Sequence, residues 1–158
     1  MVGYLSGTPT LIAGENGPGS LNTQLYYPTG LAFDASSNSL YILNQYGHTV
    51  VRWILGASTW TAVAGSPGAA GYTPFLLSYP IGFTFDYMGN LYVVDNGNHR
   101  IQLFLSGTVN GTTIAGVTGV GGNAPHLLNS PYDVALDSDL NLYVADFNNH
   151  RIQKFLRY

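Results

Sequence analysis

Three histidines, His48, His99 and His150, stand 51 residues apart. The pair Ala-Gly keeps that spacing at 13–14, 64–65 and 115–116, as do Leu40-Tyr41, Leu91-Tyr92 and Leu142-Tyr143. Pro28, Pro80 and Pro131 agree within one residue, the first copy carrying an extra residue in DASSNS (34–39). A repeat this regular constrains the fold more than any other feature. Each copy must be one supersecondary unit that buries its apolar face on its neighbours. The chain, 1–158, therefore reads as a single three-repeat unit without a linker. The copies run over about 8–58, 59–109 and 110–158.

Each copy reads as four strands. The first is GLAFD (30–34), GFTFD (82–86) or DVALD (133–137), and the second is LYILN (40–44), LYVVD (91–95) or LYVAD (142–146). A polar loop ending in His leads to TVVRW (49–53), RIQLF (100–104) or RIQKF (151–155). The fourth is TWTAVA (59–64) or GTTIA (111–115), and Asn110-Gly111 is expected to make the hairpin turn before it. A Gly- and Pro-rich loop then leads onward. It closes on Leu25, Leu77 or Leu128, where a short helical turn is expected. β-branched and aromatic residues fill the apolar runs, and Gly, Pro, Asn and Ser separate them. The fold class is all-β, and four antiparallel strands at fixed period predict a propeller blade.

The runs NLYVVDNGNHRIQLF (90–104) and NLYVADFNNHRIQKF (141–155), with the preceding P-x-G/D-x-A-x-D, closely resemble the NHL repeat, named for Asn, His and Leu. The first copy departs from it, with Asn44, Gly47, Thr49 and Val51 in place of Asp, Asn, Arg and Gln. The resemblance implies an NHL-type propeller, most often six-bladed, of which three four-stranded blades would be half a ring. It also implies two alternatives to a binding role. Some similar propellers are lyases or lactonases with metal and His groups around a central channel. Others, attached to RING-type modules, bind RNA.

Recurrence decides how the polar motif is read. Asp95, Asn98, His99 and Arg100 return as Asp146, Asn149, His150 and Arg151, and Asp34, Asp86 and Asp137 share one turn position. A catalytic group is needed once, whereas a structural device is needed in every blade, so these residues are expected to hold loops by hydrogen bonds. Outside the repeated positions stand Glu15, Asp133, Asp139, Lys154, Arg157 and His126, none close in sequence to another of complementary chemistry. No catalytic residue, metal or other cofactor is expected. GVTGVGGN (116–123) follows a strand without opening a helix and is read as a flexible loop.

The net charge of −3, with five basic residues, argues against a nucleic-acid surface. No apolar run reaches the roughly 18 residues of a membrane span, and MVGYLSGTPT (1–10) does not read as a secretory leader. Charged residues are 8% of the chain, so recognition is expected through shape and aromatic contact. Strand topology puts the approach to each first strand and the loop between the second and third strands on one side. That side carries Thr29, Gln45, Tyr46, Ile81, Asn96, Tyr132, Asp133, Phe147 and Asn148, the expected binding face for a protein, peptide or glycan. The segment TPTLIAG (8–14) aligns with the fourth strands TWTAVAG (59–65) and NGTTIAG (110–116), while the third copy shows none. The expected partner is a second copy of the chain, head to tail, each 8–14 strand completing the other's last blade; the alternative is that the remaining blades belong to the same, longer polypeptide.

Overall fold

The computed structural model describes residues 7–157, so the reading of 1–10 as lacking a leader falls mostly outside the described residues. Among the described residues, eleven strands form three antiparallel sheets. The first holds β1 (Pro28–Asp34), β2 (Ser39–Asn44), β3 (Thr49–Ile54) and β4 (Thr61–Gly65) in that order. In the second, β5 (Gly82–Phe85), β6 (Leu91–Asp95), β7 (Arg100–Phe104) and β8 (Gly111–Gly116) repeat the pattern. β9 (Asp133–Leu136), β10 (Leu142–Asp146) and β11 (Arg151–Phe155) make a three-stranded third sheet. Residues 8–14 form no ladder with the other described residues. No helix among the described residues is long and apolar enough to cross a membrane.

Successive strand residues point to opposite faces of a sheet. Along β6, Val93 therefore enters one core and Val94 the next. Val93 joins Leu43, Val50, Ala64, Leu77, Leu91 and Phe104 between the first two sheets. Val94 joins Ile101, Ala115, Leu128, Val134, Leu142 and Val144 between the second and third. A sheet covered on both faces explains why LYVV is apolar without alternation.

The repeated Ala-Gly also has a physical cause. Opposite β3, register shifts between Val50 and Val51, leaving Val63 without a partner; opposite β7 it shifts between Ile101 and Gln102, leaving out Ile114. The glycine that follows each bulge has φ of +79° (Gly65) or +80° (Gly116). A Cβ there would lie 2.1 Å from the His48 carbonyl oxygen or 2.3 Å from that of His99. Only glycine fits both constraints.

Two local expectations are corrected. Asn110-Gly111 is not the turn: Thr108 N–H donates to the Leu105 carbonyl, with Gly107 at φ +78°, and Gly111 already begins β8. Ahead of Leu77 and Leu128 lie hydrogen-bonded turns, Leu76 N–H to Thr73 and Leu127 N–H to Ala124, rather than helix. The 3-10 turns sit instead in the polar loops, at Gln45–Gly47, Asn96–Asn98 and Phe147–Asn149.

Candidate functional site

Each 3-10 turn ends on a histidine in the left-handed region, with φ of 57°, 55° and 53° at His48, His99 and His150. Asp95, fully buried, accepts the Ser78 N–H at 2.6 Å on Oδ1. Its Oδ2 accepts Asn98 Nδ2 at 2.8 Å and Arg100 Nε at 2.7 Å. Asn98 reaches on to the Gly71 carbonyl, and the Arg100 guanidinium donates to the carbonyls of Tyr72, Thr73 and Leu76. Asp146, Asn149 and Arg151 repeat the arrangement: Asp146 accepts Asn129 N–H at 2.7 Å, and Arg151 holds the carbonyls of Asn123, Ala124 and Leu127. The motif thus clamps the loop that leads into its own sheet.

Electrostatics separates the two copies. Burial pushes the Asp95 carboxyl above its ordinary value, against the pull of Asn98, Ser78 and Arg100. Burial also acts upward on Asp146, but its bonds with Asn149, Asn129 and Arg151 outweigh it and hold that carboxyl below the ordinary value. The turn aspartates are simpler. Asp86 Oδ1 accepts the N–H groups of Met88 and Asn90, both at 2.9 Å. Ser37 and Ser36 hold the half-buried Asp34 carboxyl down to about 2, and Asn141 does the same for Asp137.

The first copy replaces the clamp. Asn44 accepts the Tyr26 N–H, but its Nδ2 and the Thr49 hydroxyl are buried without a protein partner. The Trp60 indole N–H donates to the Gln24 carbonyl at 2.7 Å, the repeat counterpart of the Leu76 carbonyl that Arg100 holds.

The histidines join sheets to one another. His48 Nδ1 accepts the Tyr79 N–H at 3.2 Å, and His99 Nδ1 accepts the Ser130 N–H at 3.0 Å. Replacing His99 with alanine leaves the Ser130 N–H unpaired and will cost about 1–3 kcal/mol of stability. Urea unfolding measures this, and an unchanged midpoint would contradict the assignment. Burial pushes the His48 imidazole below its ordinary value of 6.5. A lowered folded value means that the unfolded chain binds the proton more tightly. The stabilisation is therefore complete above pH 6.5 and is lost as pH falls below it. Protonation also removes the lone pair that accepts Tyr79 N–H. Between about pH 7 and pH 5, wild type will lose more thermal stability than His48→Asn. Parallel pH profiles would exclude the assignment.

One cleft, of about 390 Å³, gathers most of the expected face. Thr29, Gln45, Ile81, Asn96, Tyr132, Phe147 and Asn148 line it, together with Ser130. Tyr132 and Phe147 pack at 5.5 Å between ring centroids, tilted by 38°, and both are more than half exposed. Asn96 Nδ2 donates to the Pro131 carbonyl at 2.9 Å, fixing the wall between two sheets. Tyr46 and Asp133 do not line the cleft. Tyr46 joins Tyr26, Tyr27 and Tyr79 in an aromatic group with centroids 4.6–5.8 Å apart. The exposed Asp133 accepts the N–H of Val134 at 2.9 Å. Sequence reasoning missed Ser130 and Tyr79. Their signal was position: with Tyr27, they immediately precede the repeated prolines, and all three take φ between 46° and 54°.

Chemically, Asp95 and Asp146 each divide their acceptors between a backbone N–H and the Asn and Arg side chains of the motif, while His48 and His99 accept a backbone N–H. The described residues bring no three His, Asp or Glu side chains together as a metal cluster.

The model of the NHL repeat matches residues 77–104 and 128–155. The chain carries NHL repeats. NHL repeat-containing protein 2 of Bos taurus is 38% identical over 91 residues, covering 49% of this chain and 12% of that protein. NHL repeat-containing protein 3 of Mus musculus is 31% identical over 112 residues, covering 70% of this chain and 32% of that protein. The NHL chain thus spans a third or less of the curated relatives it matches. Among solved structures, an auxiliary nutrient binding protein from Bacteroides thetaiotaomicron has a TM-score of 0.61 at 23% identity, over 78% of this chain and 36% of that one. A streptogramin B lyase has a TM-score of 0.63 at 10% identity, over 92% and 41%. At these identities the likeness concerns the fold, which is that of an NHL propeller. Each of its three sheets is a blade.

Proposed function

We propose that this NHL chain is a non-catalytic scaffold that binds a protein, peptide or glycan through its cleft face. Two chains assembled head to tail would form a six-bladed ring. The observation that carries the binding reading is the convergence of seven variable loop residues on one cleft. The cleft has no charged side chain in its lining, and two exposed aromatic rings stand in its wall. Rigid aromatics beside neutral amides bind by area and hydrogen bonding rather than charge. Consistent with a non-catalytic role, the repeated Asp, His and Arg groups are engaged in holding loops.

Immobilised glycan and peptide libraries test the reading. Wild type will be retained by members of one class. Tyr132→Ser/Phe147→Ser, with unchanged melting, will lose that retention by about tenfold or more. Equal retention of the two proteins would overturn it.

A further inference from the structure

The internal joints between blades specify what a joint between two copies must look like. In β3 and β7, Val50 and Ile101 are fully buried against the next blade. Their counterpart in β11 is Ile152, which is 69% exposed. At the other end, Phe83 and Phe85 of β5 pack on the core shared with the first blade, and Val134 of β9 is buried against the second. Their counterparts in β1 are Leu31 and Phe33, 68% and 56% exposed. The chain therefore exposes, at opposite ends, the two complementary apolar halves of its own internal interface. Among the described residues, β11 forms an outer edge of its sheet with no strand paired beyond it.

Gly14 and Gly17 repeat the backbone conformations of the glycines at the same places in the later copies. Gly14 has φ +89°, close to Gly65 and Gly116. A Cβ on Gly14 would meet Leu25 Cδ1 at 3.3 Å, as one on Gly65 would meet Leu77 Cδ1 at 3.2 Å and one on Gly116 would meet Leu128 Cδ1 at 3.2 Å. What Gly14 lacks is the histidine carbonyl that crowds the other two. Gly17 has φ +74°, against +73° at Gly68 and Gly119. Those two donate their N–H to the carbonyls of Gly47 and Asn98 in the preceding blade. Tyr27 repeats the left-handed backbone of Tyr79 and Ser130, whose N–H groups bind His48 and His99.

Resting on the ring reading above, we propose the residue pairing of its joint: Thr10–Gly14 of one chain adds to the edge of β11 in a second copy. The ladder pairs Gly14 with Arg151, Ala13 with Ile152, Leu11 with Gln153 and Thr10 with Lys154, and Ile12 bulges as Val63 and Ile114 do. Tyr27 N–H donates to Nδ1 of His150 of the partner, and Gly17 N–H to the Asn149 carbonyl. Ile152 buries against the face that carries Leu31. The occupant is a second copy because this chain itself carries the matching glycine conformations, the spacing and the apolar face.

The chain contains no cysteine, so engineered thiols report the pairing without background. Two chains of different mass, one tagged, carry Thr10→Cys and Lys154→Cys, both at exposed positions. After mixing and mild oxidation with diamide, the mixed disulfide will exceed by about tenfold that from Leu11→Cys with Lys154→Cys, whose thiols sit on opposite faces of the ladder. Light scattering on the unoxidised mixture accompanies the assay. A dimer mass without preference for the matched pair overturns this joint and leaves the ring. A monomer mass overturns both.

Discussion

Replacing Arg100 with alanine will destabilise the chain by about 3–5 kcal/mol, more than any other single change in the motif. Its side chain is 3% exposed and donates to Asp95, Thr118 and three loop carbonyls. Removing it strands a fully buried carboxylate that burial already disfavours in its charged form. It also frees the loop that enters the second blade. Arg100→Lys keeps the charge but cannot reproduce the planar fork, so it will recover part of the loss. Arg151→Ala is the control: its side chain is 31% exposed, so water can enter the place it vacates beside Asp146, and the loss will be smaller. Urea midpoints for the three variants give the ranking. A loss below about 1 kcal/mol for Arg100→Ala, the range of surface pairs, would contradict the account of the motif as a buried clamp.

Ile152→Asp will abolish association while leaving the individual blades folded. In the chain this side chain is 69% exposed, so a carboxylate there costs the monomer little. In the proposed joint it occupies the place of Ile101, which is fully buried among Val94, Val134 and Leu142. An unpaired carboxylate in that setting is strongly unfavourable. Sedimentation velocity will show the variant at the mass of one chain, with a β-sheet circular dichroism spectrum like that of wild type. A variant that associates as wild type does would place Ile152 outside the interface.

The strands were legible because the chemistry that makes them recurs three times. Their bounds shifted by no more than two residues. Local signals misled where a residue answers to packing rather than to its neighbours. Asn110-Gly111 has the composition of a turn, yet Gly111 sits where a Cβ would come within 2.9 Å of the Phe104 ring. In the Leu77 and Leu128 loops a single hydrogen-bonded turn forms, but the carbonyls of Leu76 and Leu127, which would carry it onward, accept from Arg100 and Arg151.

At the candidate site, strand topology placed the variable loop residues on one side, and seven of them line one cleft. Tyr46 could not be placed from sequence, because its side chain turns to Tyr26, Tyr27 and Tyr79, which belong to other segments. The exchange of an Arg clamp for Trp60 in the first copy was equally hidden. Trp60 lies in the fourth-strand segment, far from the motif in sequence, and only the fold brings its indole to the Gln24 carbonyl.

We propose that two chains close one six-bladed ring, and solution mass across a dilution series tests this most directly. The account predicts a single species near twice 16.9 kDa that persists on dilution. A species of 16.9 kDa at every concentration, or a polydisperse series of larger masses, would contradict it.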